Sequence, residues 1–581
     1  MSVVTVNSAT PFNSDSFWIE NTSQSDNEHF EDQTRSVGGP LSLHQEETYS
    51  TYTFTSGSLT YRYIGSFDIT ADFGTLSGEV SVSGYYNRIQ VLSGDTLLAN
   101  YSGPDRTVDF GTYEGASLLG LLGNLLGGVV DLLFGPEAFS EAYANLHTDA
   151  TPNLPALAVA DGLTANGGAG ADILTGGAAS DVIYGLGGND TLTGGGGVDH
   201  LYGGTGADRH VGGAGLDYAH YDDAAYGDLV INLAIPAINT GAAAGDTFVD
   251  IEGIVSGAGD DIVTGNAADN DLRGGAGADA LNGEAGGDML YGGLGADIHN
   301  GGFGPGIDYA RYDDAYYGNL TIRLDDPSLN TGAAAGDTYI EIEGIIGGVG
   351  NDVIGGDGND NRLWGNAGAD DVRGGGGNDY LNGGAGNDSL YGGAGADEHV
   401  GGDDGAIDYA RYDDAYYGDL VIRLDGHAGT GAAAGDTYVG IEGLIGGAGK
   451  DIVIGDTSAN RLWGNAGNDQ IDGGAGSDYL NGGAGADDFH LSRALGASNV
   501  DTIADFQHGV DDIVLHRTIF AGIGTTLDAD EFGSDPDNLI IYDQFTGQLF
   551  FDASGAGGVA PVHFATVAVG TVLDIGDFVM V

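Results

Sequence analysis

The sequence predicts an all-β protein whose larger part is a parallel β-helix solenoid, and three observations predict it. First, a nine-residue beat, Gly-Gly-x-Gly-x-Asp-x-(apolar)-x, returns more than twenty times between Gly167 and His490. It reads GGAGADILT from Gly167, GLGGNDTLT from Gly185, GGAGADALN from Gly274, GGGGNDYLN from Gly374 and GGAGSDYLN from Gly473. A fixed short period of this kind marks stacked coils of nonapeptides. Second, glycine supplies 110 of 581 residues with no third-position register and only 11 prolines, which excludes a collagen-type helix. Third, aromatic and β-branched residues are plentiful between the glycines, so the glycines punctuate strands rather than dilute a disordered linker.

The elements follow in chain order. Residues 1–113 alternate as β-structure does, in TYTFTSGSLTYRYIGSFDIT from Thr51 and GEVSVSGYYNRIQVLSGDTLLANY from Gly78. This predicts a small, mostly-β domain over 1–147 that carries one apolar helix at about 114–134. In that helix Leu118, Leu121, Leu122, Leu125, Val129, Leu132 and Leu133 follow helical spacing. Gly123 and Gly127 form a small-xxx-small step, and Asn124 and Asp131 interrupt a run of nearly spanning length. The helix suits burial against the β-domain or the first coils; self-association and membrane insertion are the lesser readings. A Pro- and small-residue linker covers 148–166. The repeats fill 167–490 in four blocks, 167–220, 256–302, 347–402 and 446–490, separated by three related β-rich inserts. DYAHYDDAAYGDL at Asp217 returns as DYARYDDAYYGNL at Asp308 and DYARYDDAYYGDL at Asp408, while GAAAGDT recurs at Gly241, Gly332 and Gly431, and IEG at Ile251, Ile342 and Ile441. Residues 491–581 lose the beat and form a β-rich C-terminal segment.

Within a nonapeptide, x-apolar-x is a very short strand whose middle side chain, such as Leu174, Ile183, Leu192 or Leu201, points into a shared core. The glycine half must turn sharply, which needs positive φ and leaves bare carbonyls free to face an ion. Two nonapeptides make one coil, so residues 18 apart stack: Asp172 with Asp190 and Asp208, Asp181 with Asp199 and Asp217. Carboxylates from successive coils plus turn carbonyls make an all-oxygen, hard site, which suits Ca²⁺ better than a transition metal. The candidate metal ligands are Asp172, Asp181, Asp190, Asp199, Asp208, Asp217, Asp261, Asp279, Asp288, Asp297, Asp352, Asp370, Asp379, Asp388, Asp397, Asp451, Asp469, Asp478 and Asp487. Asn270, Asn361 and Asn460 stand where this aspartate belongs and bring no charge, so they mark weaker positions. Pairing aspartates 18 apart gives about 11 to 14 Ca²⁺ ions.

These residues resemble the RTX (repeats-in-toxin) proteins over roughly 167–490. The resemblance implies a Ca²⁺-filled parallel β-roll, unfolded in low Ca²⁺ and folded outside a Gram-negative cell, exported by a type I ABC transporter without an N-terminal signal peptide. GADDFHLSRALGASNVDTIADFQHGVDDIVL and LIIYDQFTGQLFFDASG also look like the C-terminal segments of that family, which carry an uncleaved secretion signal. Residues 1–165 show no comparable match.

Charge and motifs narrow the function. With 86 acidic residues against 16 Lys and Arg, the net charge of −70 excludes nucleic acid as a partner and disfavours anionic membranes. No cysteine is present, so disulfides and thiolate metal sites are excluded. No zincin, nucleophile-elbow, Walker or dinucleotide motif occurs, and no catalytic residue or organic cofactor site is assigned. Tyr309, Tyr312, Tyr316 and Tyr317, with Tyr409, Tyr412, Tyr416 and Tyr417, read as core-stacking residues with hydroxyls at the rim rather than a platform for sugars, and Trp364 and Trp463 read as packing residues. The expectation is a secreted, Ca²⁺-binding, non-enzymatic surface-layer, matrix or adhesin protein that self-associates or meets a cell-surface polysaccharide. The alternatives are an exoenzyme with an active site in 1–165 and a membrane-active toxin.

Overall fold

The computed structural model describes residues 164–581 apart from 223–225, 315–316, 415 and 556–559; ahead of residue 164 it describes the backbones of seven strands. The expected helix at 114–134 and most of the linker lie outside the described residues. Among the described residues all regular structure is β-strand and short 3-10 turns, and no helix is long and apolar enough to cross a membrane.

The N-terminal strands form one sheet. Ser50–Ser56, Leu59–Asp72, Glu79–Ser93 and Thr96–Asp109 run as an antiparallel meander, and Ser2–Asn7 joins Ser50–Ser56 in parallel. These are the segments whose polar–apolar alternation predicts strands.

From residue 164 the chain coils, and two compact units, 1–257 and 258–581, divide it. In the first unit Ile173–Thr175, Thr191–Gly196 and Arg209–Ala214 stack in parallel as one sheet. Thr164–Asn166, Val182–Tyr184, His200–Tyr202 and Tyr218–His220 stack as the other. The register is 18 residues, which places Leu174 beside Leu192 and Ile183 beside Leu201. Each of these side chains is buried, because only the middle residue of a three-residue strand faces inward. The second unit repeats the scheme: Leu363 lies between Ile345 and Leu381 in one sheet, and Val372 between Ile354 and Leu390 in the other. All six are fully buried.

The inserts contribute rungs to the same ladders. Thr247–Val249 pairs with Arg209–Ala214, and Gly253–Ala258 with Tyr218–His220. In the second unit Thr338–Ile340 and Thr437–Val439 pair with the strands of His299 and His399. Each insert there also opens a new column: Thr321–Arg323 pairs with Val353–Gly355, and Val421–Arg423 with Ile452–Ile454. The C-terminal segment first continues both sheets, with Ile503 beside Leu480 and Ile513 beside Phe489. It then closes with the antiparallel strands Ile540–Asp543, Gln548–Phe551 and Val562–Thr566 around Phe520, whose ring meets Phe551 and Phe564 edge-on at 5.2 and 5.0 Å.

Candidate metal centres

The turn geometry explains the glycines. Gly375 and Gly377 hold φ of 104° and 110°, a region closed to ordinary side chains. The first glycine of the nonapeptide is required for a different reason. A Cβ on Gly167 would sit 2.7 Å from the Gly185 carbonyl oxygen and 2.8 Å from Asp172 Oδ2. A Cβ on Gly374 would meet the Gly392 carbonyl at 2.7 Å and overlap Asp379 Oδ2. A methyl group would therefore fill a small cradle between the carboxylate of one coil and the carbonyl of the next.

The sixth-position aspartates line these cradles. Oδ1 accepts the backbone N–H of the aspartate 18 residues earlier: Asp172 N donates to Asp190 at 2.7 Å, Asp190 to Asp208 at 2.8 Å, Asp181 to Asp199 at 2.7 Å and Asp199 to Asp217 at 2.9 Å. The second unit repeats the pattern from Asp261 to Asp279 to Asp297, from Asp352 to Asp370 to Asp388, from Asp379 to Asp397, and from Asp451 to Asp469 to Asp487. All these aspartates except Asp172 are buried.

Their second oxygens divide them. At Asp172, Asp181, Asp352 and Asp451, Oδ2 accepts the N–H of the nonapeptide's second glycine, at 2.7, 2.6, 3.0 and 2.8 Å. At Asp190, Asp199, Asp208, Asp217, Asp279, Asp288, Asp297, Asp370, Asp379, Asp388, Asp397, Asp469, Asp478 and Asp487, Oδ2 is buried with no hydrogen-bond partner. A buried anionic oxygen without a partner is costly unless a cation meets it. The charge state reflects this cost. Burial pushes Asp190, Asp199, Asp279, Asp288, Asp370, Asp379 and Asp469 up to about 7, with neighbouring carboxylates adding to the rise and backbone N–H donors offsetting part of it. Burial also raises Asp208, Asp217, Asp297, Asp352 and Asp451. Carboxylate oxygens facing glycine carbonyls, with no sulfur in the donor set, fit a hard divalent cation such as Ca²⁺.

Three groups of residues complete the ladder that the 18-residue rule does not reach. Asp246, Asp337 and Asp436 of the GAAAGDT motif accept from Asp208, Asp297 and Asp397 N at 2.8, 2.9 and 2.9 Å. Glu252, Glu343 and Glu442 of the IEG motif accept from Asp217, Asp308 and Asp408 N at 3.1, 3.0 and 3.1 Å. Asp501 and Asp511 do the same for Asp478 and Asp487, both at 3.1 Å. The recurrence of these motifs was the available signal; their separations of 34 to 40 residues in the inserts, and 23 and 24 in the tail, hid the role. The amide oxygens of Asn270, Asn361 and Asn460 accept from Asn266, Asp357 and Asp456 N at 2.7, 2.8 and 2.8 Å, so they are committed to the backbone.

The insert tyrosines separate in the same way. Tyr312 and Tyr412 are buried, and their hydroxyls donate to Asp337 and Asp436 at 2.6 Å. Tyr317 and Tyr417 donate to Asp314 and Asp414 at 3.1 and 3.0 Å, Tyr416 is exposed, and Tyr316 lies outside the described residues. Trp364 and Trp463 pack against tyrosine rings, but outside the core. Leu363 and Leu462 take the inward position, so each indole lies on the outer face of its sheet, half-buried against neighbouring tyrosines. A second feature absent from the sequence reading is imidazole in the core: His210, His299 and His399 occupy the apolar position and are fully buried, which drives each down to about 4 and keeps it neutral.

The family model for the RTX calcium-binding nonapeptide repeat matches residues 164–219, 254–307, 345–398 and 454–489. No curated protein matches the chain. The repeats of this family bind calcium, several ions per repeat region; the sixth-position aspartates lie within the matched segments except Asp451, and the insert and tail carboxylates lie outside them.

Proposed function

We propose that this RTX calcium-binding repeat protein is an extracellular structural component, of surface-layer, matrix or adhesin type, whose repeats fold where Ca²⁺ is abundant. The observation that carries the reading is the ladder of fourteen buried, unpartnered Oδ2 atoms, of which those of Asp190, Asp288, Asp370, Asp379 and Asp469 lie beside a glycine carbonyl of the next coil. Bound Ca²⁺ supplies the positive charge that lets those carboxylates stay ionised in the fold. The aspartates hold the two sides of each cradle, their Oδ1 atoms fix the spacing of successive coils, and the inward Leu, Ile and Val residues exclude water from the space between the sheets. A chain of net charge −70 repels itself when compact. Where the cradles are empty, that repulsion favours an extended, exportable chain. Extracellular Ca²⁺ modules work at roughly 10⁻⁴–10⁻³ M, and each site adds about 2.7 kcal/mol at a hundredfold excess over its Kd, so about a dozen sites dominate stability.

In this reading residues 491–581 cap the array and carry the type I export signal, residues 1–165 supply association, and the chain is not an enzyme. Far-ultraviolet circular dichroism in excess EGTA and in calcium chloride tests the folding step. The expected result is loss of most β signal in EGTA, and equal spectra would sink the proposal. Electron microscopy of the Ca²⁺-loaded protein tests assembly, with sheets or filaments expected and monodisperse monomers at high concentration contradicting it. Polysaccharide, ester and peptide turnover assays test the non-enzymatic part, and release of product would overturn it.

A further inference from the structure

The outer faces of the second unit carry the same aromatic cluster twice. In the first copy Tyr309, Gly344, Arg362 and Tyr380 are neighbours along one row of strand positions, and Trp364 and Asn382 along the next. A Cβ on Gly344 would overlap the Tyr309 ring, so glycine there lets the ring lie flat against the sheet. Trp364 stands edge-on to Tyr309 with centroids 5.5 Å apart and tilts against Tyr380 at 5.2 Å. In the second copy Tyr409 covers Gly443, and Trp463 meets Tyr409 and Tyr479 at 5.6 and 5.5 Å with nearly the same angles. Tyr309, Trp364 and Tyr380 remain partly open to solvent, unlike the sealed Tyr312, and Tyr479 is 38% exposed.

The arginines at these clusters are not committed to carboxylates. Arg273, Arg311, Arg323, Arg373, Arg411 and Arg423 each pair with an aspartate two residues away. Among the described residues Arg362 and Arg461, like Arg209, Arg493 and Arg517, form no such pair; Arg362 and Arg461 are exposed, and the Arg362 guanidinium lies beside the Tyr309 hydroxyl. The two clusters lie on different sheets of the roll, because the strand of Trp364 and that of Trp463 belong to the two sheets that enclose the core.

We propose that Tyr309, Arg362, Trp364 and Tyr380, with their copies Tyr409, Arg461, Trp463 and Tyr479, are two equivalent glycan-binding patches, one on each sheet, through which the unit holds two polysaccharide chains at once. Half-exposed aromatic rings offer faces that stack on the C–H face of a pyranose, while a guanidinium held by no carboxylate and the Asn382 amide supply donors to hydroxyls or to a sugar carboxylate. A second copy of the chain fits less well, since patch against patch brings one unpaired guanidinium onto another. The proposal deepens the extracellular structural reading and rests on it for access to polysaccharide.

The test uses the full chain in excess calcium chloride. Isothermal titration with a neutral β-glucan hexasaccharide and with a hexauronate distinguishes hydroxyl from carboxylate recognition. One of the two is expected to bind at two sites per chain. Trp364→Ala should leave one site, and Trp364→Ala with Trp463→Ala should weaken binding at least about tenfold. Loss of one patch should also abolish cross-linking of the long polymer while binding persists. Where a Trp variant shifts the Ca²⁺ midpoint of folding, Arg362→Gln with Arg461→Gln replaces it, and the same loss is expected. Binding of neither sugar, or unchanged binding in the double variants, overturns the proposal. So does a change in sedimentation of the ligand-free double variant, which would make the patches self-contacts. Ca²⁺-dependent folding, read by circular dichroism, stands or falls separately.

Discussion

Alanine at Gly374 is the sharpest probe of the cradle. Its φ lies outside the left-handed region, so a Cβ there strains no backbone. The methyl would instead overlap Asp379 Oδ2 and lie 2.7 Å from the Gly392 carbonyl, occupying the space that an ion would need. Asp379 is buried, so the carboxylate cannot swing to water without opening the coil. Forcing a methyl into such packing costs about 1–3 kcal/mol. Losing one ion removes about 2.7 kcal/mol more at a hundredfold excess of Ca²⁺ over Kd. Gly374→Ala should therefore destabilise its rung by about 4–6 kcal/mol and lower the Ca²⁺ stoichiometry by at least one. Gly358→Ala is the matched control, because a Cβ at Gly358 has nothing within 4 Å. Stoichiometry comes from calorimetric titration. The local midpoint comes from tryptophan fluorescence in urea, since Trp364 packs against Tyr380, the residue after Asp379. Solenoid arrays unfold in stages, so this local signal is preferable to a single global transition. Equal stoichiometry and equal midpoints for the two variants would show that the space beside Asp379 Oδ2 holds no ion.

Three further outcomes follow from the same geometry. In EGTA, aspartates such as Asp190, Asp279 and Asp379, raised from 3.8 to about 7 in the fold, contribute stability that is whole below about pH 4 and lost as pH rises to about 7. Acidifying the metal-free protein from pH 7.5 to 5 should therefore increase β content by circular dichroism, and a flat or falling signal would contradict the carboxylate assignment. Asp379→Ala should raise the Ca²⁺ midpoint of folding more than Asn361→Ala, because Asp379 Oδ2 faces the cradle while Asn361 Oδ1 already accepts a backbone N–H at 2.8 Å; equal shifts would refute the register. His299 Nε2 accepts the Gly292 N–H at 3.1 Å, whereas both ring nitrogens of His210 are without partners, so His299→Leu should destabilise by about 1 kcal/mol and His210→Leu should be neutral or stabilising in thermal unfolding.

The solenoid was legible in the sequence because one short period governs backbone and side chain together. Leu174, Ile183 and Leu192 must be buried if every ninth residue turns inward, and the 18-residue stacking of the aspartates follows from the same count. The inserts were not legible in this way. Asp246, Asp337 and Asp436 supply the same Oδ1 acceptor as a repeat aspartate, yet 38 to 40 residues separate them from the N–H donors they serve. A loop can lengthen without disturbing the ladder provided its last strand returns to the correct rung, and a search for fixed spacing passes over it. The face on which the indoles pack follows from a shorter count. RLW places Leu363 inward and Trp364 outward, and two-residue alternation in so short a strand gives the tryptophan no route to the core.

The insert length also decides where the surface features fall. A superperiod made only of 18-residue coils would return every feature to the same sheet, and a rod so built could line one long polymer along one face. Here Tyr309 and Tyr409 stand in different sheets, as do Trp364 and Trp463, because the superperiod between them contains an odd number of half-coils, whereas Tyr218 and Tyr309, one superperiod earlier, share a sheet. The Arg–Tyr–Arg stacks obey the same rule: Arg273, Tyr291 and Arg311 lie in one sheet, Arg373, Tyr391 and Arg411 in the other, with guanidinium-to-ring distances of 4.3 and 4.9 Å and of 4.2 and 5.1 Å. Duplicating one insert thus gives two identical surfaces facing away from each other, without any change in the carboxylate ladder that each coil requires. Bridging between two partners is the use that such opposed surfaces serve and a one-sided array does not. Removing one half-coil after the first cluster, by deleting residues 383–391 as a single nonapeptide, leaves Trp364 beside Asn382 and would return Trp463 to the sheet of Trp364; it should keep Ca²⁺-dependent folding while converting a cross-linking chain into one that binds polymer without bridging it.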